Sequence, residues 1–203
     1  MMENIKLVYI DDTPDIELSR YFDQINQYHP SDKYVLETSE IRFDPEKDYS
    51  SLLKDDRVQT ANIIVIDSRL FENRTAAGGK FTGEEFKLVL QKFYPFIEVI
   101  VITQNEMETG VDMVPKYVKN SDQKADEYYC ETMPQYIENA VQKVIQYRIL
   151  AKKMCENDSW EDLLKEKVLG TLRGTQAYDE LTKNDIDTLI AAFREIKESI
   201  NDG

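Results

Sequence analysis

Three aspartates stand where chemistry could be done. Asp11 and Asp12 directly follow the apolar run Lys6 to Ile10 (KLVYI), and Asp67 follows Asn62 to Ile66 (NIIVI). Thr103 ends a third apolar run, Ile97 to Ile102 (IEVIVI), and Lys119 ends a short fourth one, Lys116 to Lys119 (KYVK). If those runs are strands lying side by side, their ends share one pocket. Three carboxylates brought together repel unless a proton or a cation relieves them. A hard divalent ion with oxygen ligands suits them, and Mg²⁺ suits a site of few carboxylates and several waters. A hydroxyl from Thr103 and a point charge from Lys119 would add what is needed to hold a phosphoryl group by position and electrostatics.

The elements that would position these residues alternate along the chain. KLVYI reads as a buried strand. Thr13-Pro14 follows as an expected N-cap and first helical residue, ahead of Ile16, Leu18, Phe22, Ile25 and Tyr28 at helical spacing. His29-Pro30 ends that helix. Tyr34 to Glu37 reads as a weaker strand, and residues 41–60 are polar, with a short helix around Leu52-Leu53. NIIVI is the clearest strand. Residues 69–81 form a loop holding Gly78-Gly79. Thr82-Gly83-Glu84-Glu85 is a capping box ahead of Phe86, Val89, Leu90 and Phe93. Residues 106–114 have little periodicity. Strands alternating with helices predict an α/β fold: a doubly wound, parallel, five-stranded sheet covered on both faces. In such sheets ligands bind beyond the carboxyl ends of the strands, where the order reverses.

From residue 126 the texture becomes helical. Pro134 is expected to open a helix with Ile137, Val141 and Val144 on one side, running to about Met154. Ser159-Trp160-Glu161-Asp162 resembles a second capping box, Gly174 is a stop, and Ile186 to Ile200 forms a last apolar stripe. The expected division is a core over 1–125, a long linking helix over 126–155 and a helical extension over 156–203.

Composition narrows the function classes. The 203 residues are 41% apolar, enough for a core, and carry a net charge of −14. No segment is basic, which argues against a nucleic-acid partner and against docking on an anionic membrane. One histidine, His29, and two cysteines, Cys130 and Cys155, leave no zinc site and a poor basis for a histidine triad. Two cysteines without a framework suit a reducing compartment, and no targeting signal or membrane-length apolar run is visible. A soluble cytoplasmic protein is expected.

The order Asp11-Asp12, Asp67, Thr103, Lys119 on successive strand ends resembles the receiver domain of two-component response regulators, over roughly residues 4 to 153. The resemblance implies a flavodoxin-like, receiver-like sheet. It implies that Asp67 accepts a phosphoryl group, that Asp11, Asp12 and Asp67 hold Mg²⁺ with the backbone carbonyl of Arg69, and that Thr103 and Lys119 contact the phosphoryl oxygens. The donor would be a kinase or a small phosphodonor, and output would pass through the C-terminal helices to a protein partner or to a second copy. Beyond phosphorylating and dephosphorylating itself, such a chain is not an enzyme. The sequence departs from the family pattern in a long loop after Asp67, a short stretch between Thr103 and Lys119, Asn120 after that lysine where the family prefers proline, and Tyr117 as the nearest switch aromatic.

Plainer readings stand beside this one. Asp11 and Asp12 could simply favour a helix N-terminus, and Lys119 could be a solvated surface lysine. A pseudo-receiver would keep the acids and serve as an interaction or dimerisation module without phosphorylation. A haloacid-type phosphohydrolase would want a second aspartate two residues after the nucleophile, and Arg69 stands there instead.

Overall fold

The computed structural model describes residues 2–71, 82–104, 113–118, 123–156 and 162–172. Five strands run parallel in one sheet: β1 (Glu3–Asp11), β2 (Tyr34–Arg42), β3 (Ile63–Asp67), β4 (Glu98–Thr103) and β5 (Met113–Pro115). Their order is β2-β1-β3-β4-β5. This is the flavodoxin-like doubly wound order, with the reversal between β1 and β3. All five residues of β3 are buried, as a central strand covered on both faces requires.

Alternation along the strands divides the core in two. Val8, Ile10, Ile64, Ile66, Val99 and Val101 face one side, packed with Phe71, Phe86, Val89 and Leu90. Ile5, Leu7, Tyr9, Ile63, Val65, Ile100 and Ile102 face the other, packed with Leu18, Phe22, Met133, Ile137 and Val141. The first side is covered by α5 (Gly83–Phe93) and by two short helices, α3 (Ser50–Leu53) and α4 (Asp56–Gln59). The second is covered by α1 (Ile16–Asp23), the single turn α2 (Ile25–Tyr28) and α6 (Ala125–Glu156). A further helix, α7 (Asp162–Leu172), contacts α6. Among the described residues, no helix is long and apolar enough to cross a membrane.

Several local expectations meet the structure directly. Thr82 accepts from the Glu85 amide while the Glu85 carboxylate accepts from the Thr82 amide, closing the capping box at the start of α5. The short helix expected near Leu52 is α3, and α4 behind it lacked enough periodicity to be read. The first helix begins later than Thr13-Pro14 suggests. Its N-cap is Asp15, whose carboxylate accepts from the amides of Glu17 and Leu18. Asp is as good a cap as Ser or Asn, so proline at position 14 did not decide the boundary.

Two boundaries move further. Pro134 does not open a helix; it lies inside α6, a helix of 32 residues. Proline there removes the hydrogen bond that an amide at 134 would give the carbonyl of residue 130. Burial of Tyr129 and Met133 carries the helix across that defect. The last strand also shifts, to Met113–Pro115 rather than 116–119. Pro115 is tolerated because β5 is an edge strand that pairs only with β4. The apparent capping box at 159–162 falls largely outside the described residues, as do Gly78-Gly79, Trp160, Gly174 and the stripe from 186 to 200.

Replacing Pro134 by alanine should stabilise the protein. Restoring the amide donor and removing the ring from a helix interior is worth up to about 3 kcal/mol in an unpacked helix, and about 1–2 kcal/mol is expected here because the helix is already held by packing. Chemical denaturation of Pro134→Ala against the parent, at unchanged slope, measures it.

Candidate functional site

The carboxyl ends of β1 and β3 bring the three aspartates together. One carboxylate oxygen each from Asp11, Asp12 and Asp67 lies within 4.8 Å of the others. Asp11 and Asp67 are buried, with 1% and 5% of their surfaces exposed, and Asp12 is half-buried. Burial of like charges needs compensation, and the structure supplies it with a lysine. The Lys116 ammonium lies 2.8 Å from Asp11 Oδ2 and 2.6 Å from Asp67 Oδ1, and is itself buried.

Lys116 directly follows β5, and its amide donates to the Thr103 carbonyl, tying the ends of β4 and β5 together. Sequence reading placed the site lysine at Lys119, which lies outside the described residues. Lys116 was missed because the strand was drawn after Pro115 instead of through it. The signal was present in Met113-Val114, an apolar pair directly ahead of the proline.

The remaining contacts fix the two buried acids. Asp11 Oδ2 also accepts from the Tyr9 hydroxyl at 2.6 Å, and Asp11 Oδ1 accepts from the Thr13 amide at 3.0 Å. Tyr9 and Asp11 are two apart on β1 and so share a face. Burial, with Asp11 beside it, holds the Tyr9 phenol far above its ordinary value, so it remains a donor. Asp67 Oδ2 accepts from the Arg69 amide at 2.9 Å. Arg69 therefore sits against the acid through its N–H; its carbonyl is the group assigned to a metal shell by resemblance.

Thr103 is buried at the end of β4, and its hydroxyl accepts from the Ser68 hydroxyl at 3.0 Å. Ser68 follows Asp67 and its amide donates to the Ile102 carbonyl, so the turn after β3 is held to β4. Gly83, the first residue of α5, approaches from the other side. Its amide donates to the Ser68 carbonyl, and a Cβ there would stand 2.5 Å from the Asp67 carbonyl oxygen. That glycine is needed for close approach. It lay unnoticed inside the capping box.

Burial pushes the Asp67 carboxyl above its ordinary range, and the Asp11 charge adds to this while Lys116 and the Arg69 amide act against it. Burial alone would lower the Lys116 ammonium, but the two carboxylates outweigh it and its net direction is upward. The pair is thus an ammonium held firmly charged beside an acid still short of compensation.

The donor set fits a hard divalent cation. Each carboxylate oxygen has two lone pairs. From the described residues, Asp11 Oδ1 and both Asp67 oxygens each receive a single hydrogen bond, which leaves each able to offer a second lone pair. The two buried carboxylates, Asp11 and Asp67, share the single Lys116 ammonium, with Asp12 beside them, so the cluster is acidic. Oxygen-only donors with room for water are the Mg²⁺ preference.

A hydrogen-bonded path leads from this cluster to α6. The Asp15 amide donates to the Tyr9 hydroxyl, and Asp15 Oδ2 accepts from the Tyr129 hydroxyl at 2.8 Å. The Tyr117 amide, next to Lys116, also donates to the Tyr129 oxygen, at 3.2 Å. Tyr117 itself packs on Tyr128 and donates its hydroxyl to the Gln123 carbonyl.

Comparison with protein-family models, with curated proteins and with solved structures finds no match to this chain.

Two outcomes follow from the site's charge balance. Lys116→Met should destabilise the metal-free protein by about 3 kcal/mol, because it leaves two buried carboxylates unpaired. Mg²⁺ should recover part of that loss in thermal unfolding. For Asp67 the folded-state value lies above the unfolded one, so its ionisation costs stability as pH rises from the unfolded carboxylate value through the folded one. Metal-free Asp67→Asn should therefore gain on the parent across that window, and the gap should level off at higher pH. Gly83→Ala should cost about 1–3 kcal/mol through overpacking and weaken any metal-dependent stabilisation, since it displaces the backbone of Asp67.

Proposed function

We propose that this chain is a receiver-like signalling protein that takes a phosphoryl group on Asp67 and passes the change to its C-terminal helices. The observation that carries the reading is the convergence of Asp11, Asp12 and Asp67 with Lys116 at the carboxyl edge of a β2-β1-β3-β4-β5 sheet. An Asp67 oxygen would attack the phosphorus of a small donor such as acetyl phosphate. The P–O bond to the donor breaks, and acetate leaves with the electron pair. Mg²⁺ held by Asp11, Asp12 and Asp67, with the Arg69 carbonyl, would offset charge on the transferring oxygens. Lys116 takes the role given to Lys119 by sequence, moving its ammonium from the Asp67 carboxylate to a phosphoryl oxygen. Thr103 can follow by donating its hydroxyl hydrogen to a second phosphoryl oxygen while still accepting from Ser68.

The added charge and acceptor oxygens would draw Lys116 and Thr103 together. Since the Lys116 amide is bonded to Thr103 and Tyr117 is bonded to Tyr129, that movement reaches α6 through short, directional contacts. The partner would be a protein or a second copy meeting the helical extension.

A second reading has its own support. Lys116 already bridges both buried carboxylates, so the cluster is partly neutralised by the protein itself. A pseudo-receiver that serves as an interaction module could keep this arrangement as a purely structural ion triad.

Incubation of the full chain with acetyl phosphate and Mg²⁺ separates the two. The first reading expects one phosphoryl group added by intact mass, lost in Asp67→Asn and strongly reduced without Mg²⁺. No adduct on the parent under conditions where Mg²⁺ raises its unfolding temperature favours the second. Tyr129→Phe should leave the adduct intact while removing the change in hydrogen-exchange protection of α6 that phosphorylation brings.

A further inference from the structure

A cavity lies at the opposite edge of the sheet from the acidic cluster, under the amino ends of β1, β3 and β4. It has a volume of about 480 Å³, and the second half of α6 and Leu169 and Leu172 of α7 line part of its wall. Asp11 lies five steps along β1 from Lys6 on its wall, about 16 Å at the usual strand rise. It belongs to neither the acidic cluster nor the path from that cluster to α6.

Its charge is the unusual feature. The chain carries −14 overall, yet among the described residues the cavity is lined by Lys6, Arg148 and Lys152 and by no aspartate or glutamate, with Glu98 behind the wall accepting from the Tyr147 hydroxyl. Arg148 is fixed: its guanidinium pairs with Glu3 and donates to the Asn4 carbonyl and to Asn62 Oδ1. Lys6 and Lys152 form no ion pair with the described residues. The apolar part of the wall combines aliphatic side chains such as Val144, Leu169 and Leu172 with the rings of Phe96 and Tyr147, an edge-on pair at 5.5 Å. A cavity of this size that joins apolar surface to converging polar groups can hold a small molecule. Unpaired cations in an otherwise acidic protein select for negative charge by contrast with everything around them.

We propose that this cavity binds a small molecule that joins a phosphate to a flat ring, as a nucleoside monophosphate does. Lys6 and Lys152 meet the anion and the aromatic wall takes the ring. Because α6 and α7 both contribute to the wall, occupancy there ties the helical extension to the amino edge of the sheet.

The probe is AMP, titrated by calorimetry into the full chain, with inorganic phosphate and adenosine titrated separately. Saturable binding of AMP, tighter than that of either fragment, is expected. Charge reversal at two exposed lysines, Lys6→Glu with Lys152→Glu, should weaken it about tenfold or more while the Mg²⁺-dependent shift in unfolding temperature stays as in the parent. Tyr147→Leu should weaken AMP and leave inorganic phosphate unaffected. The proposal is overturned if AMP does not saturate in the millimolar range. It is equally overturned if inorganic phosphate binds as tightly as AMP, or if the double reversal leaves AMP affinity unchanged. None of these readouts depends on phosphorylation of Asp67, so failure here and failure of the receiver reading are separable.

Discussion

Two carboxylates buried at adjacent strand ends are an expensive arrangement, and the contact that makes it possible is the Lys116 ammonium between them. Isolated charges of one sign are not kept in a protein interior; they are paired, protonated or bound to a metal. Lys116 bonds both acids at once, and the rest of the site can be understood as what holds that bridge in place. Its amide is tied to Thr103, Asp11 is tied to Tyr9 and the Thr13 amide, and Asp67 is tied to the Arg69 amide. A central sheet with β3 buried on both faces makes these positions rigid. The bridge still leaves negative charge in excess, which is why the same cluster suits a divalent ion.

The second organising constraint is steric. The chain after Asp67 turns sharply, donates its Ser68 amide to β4 and receives the Gly83 amide at the Ser68 carbonyl. No side chain fits between that turn and the start of α5. The capping box therefore does more than end a helix: it aims the first turn of α5 at the backbone that carries the acid. In the same way, α6 does more than cover a face of the sheet. Tyr129 reaches from it to Asp15, which caps α1 and meets Tyr9, so three elements converge on one short chain of hydroxyl and carboxylate contacts. After Val144 none of its described residues is buried, and this last stretch of α6 meets the sheet only through the polar contacts of Tyr147 with Glu98 and of Arg148 with Glu3, Asn4 and Asn62 while also touching α7.

Charge is distributed unevenly between the two ends of the sheet. The carboxyl edge gathers acids around a single lysine, while the cavity at the amino edge gathers cations and rings. Parallel strands make such a division easy, because all their carboxyl ends lie at one edge and all their amino ends at the other. The two edges are linked by strands that are themselves apolar, so each can be tuned without disturbing the other.

Apolar runs ending in Asp11 and Asp67, and a helical capping box at Thr82, are local patterns, and hydrophobic periodicity and side-chain capping act over a few residues; these were legible from the sequence alone. So was the five-stranded parallel sheet, since alternation of strand and helix admits few other layers. The aspartate cluster could be anticipated for the same reason, once adjacency of β1 and β3 was assumed. What the sequence could not settle was decided by contacts between residues far apart in the chain. Which lysine meets the acids depends on where an edge strand stops, and Pro115 is acceptable there because, among the described residues, β5 pairs only with β4. Whether Pro134 begins a helix or sits within one depends on Tyr129 and Met133 finding a buried face to occupy. The closeness of Gly83 to Asp67 and the link from Tyr9 through Asp15 to Tyr129 exist only when the sheet and its helices are assembled, because each joins groups that no local pattern relates.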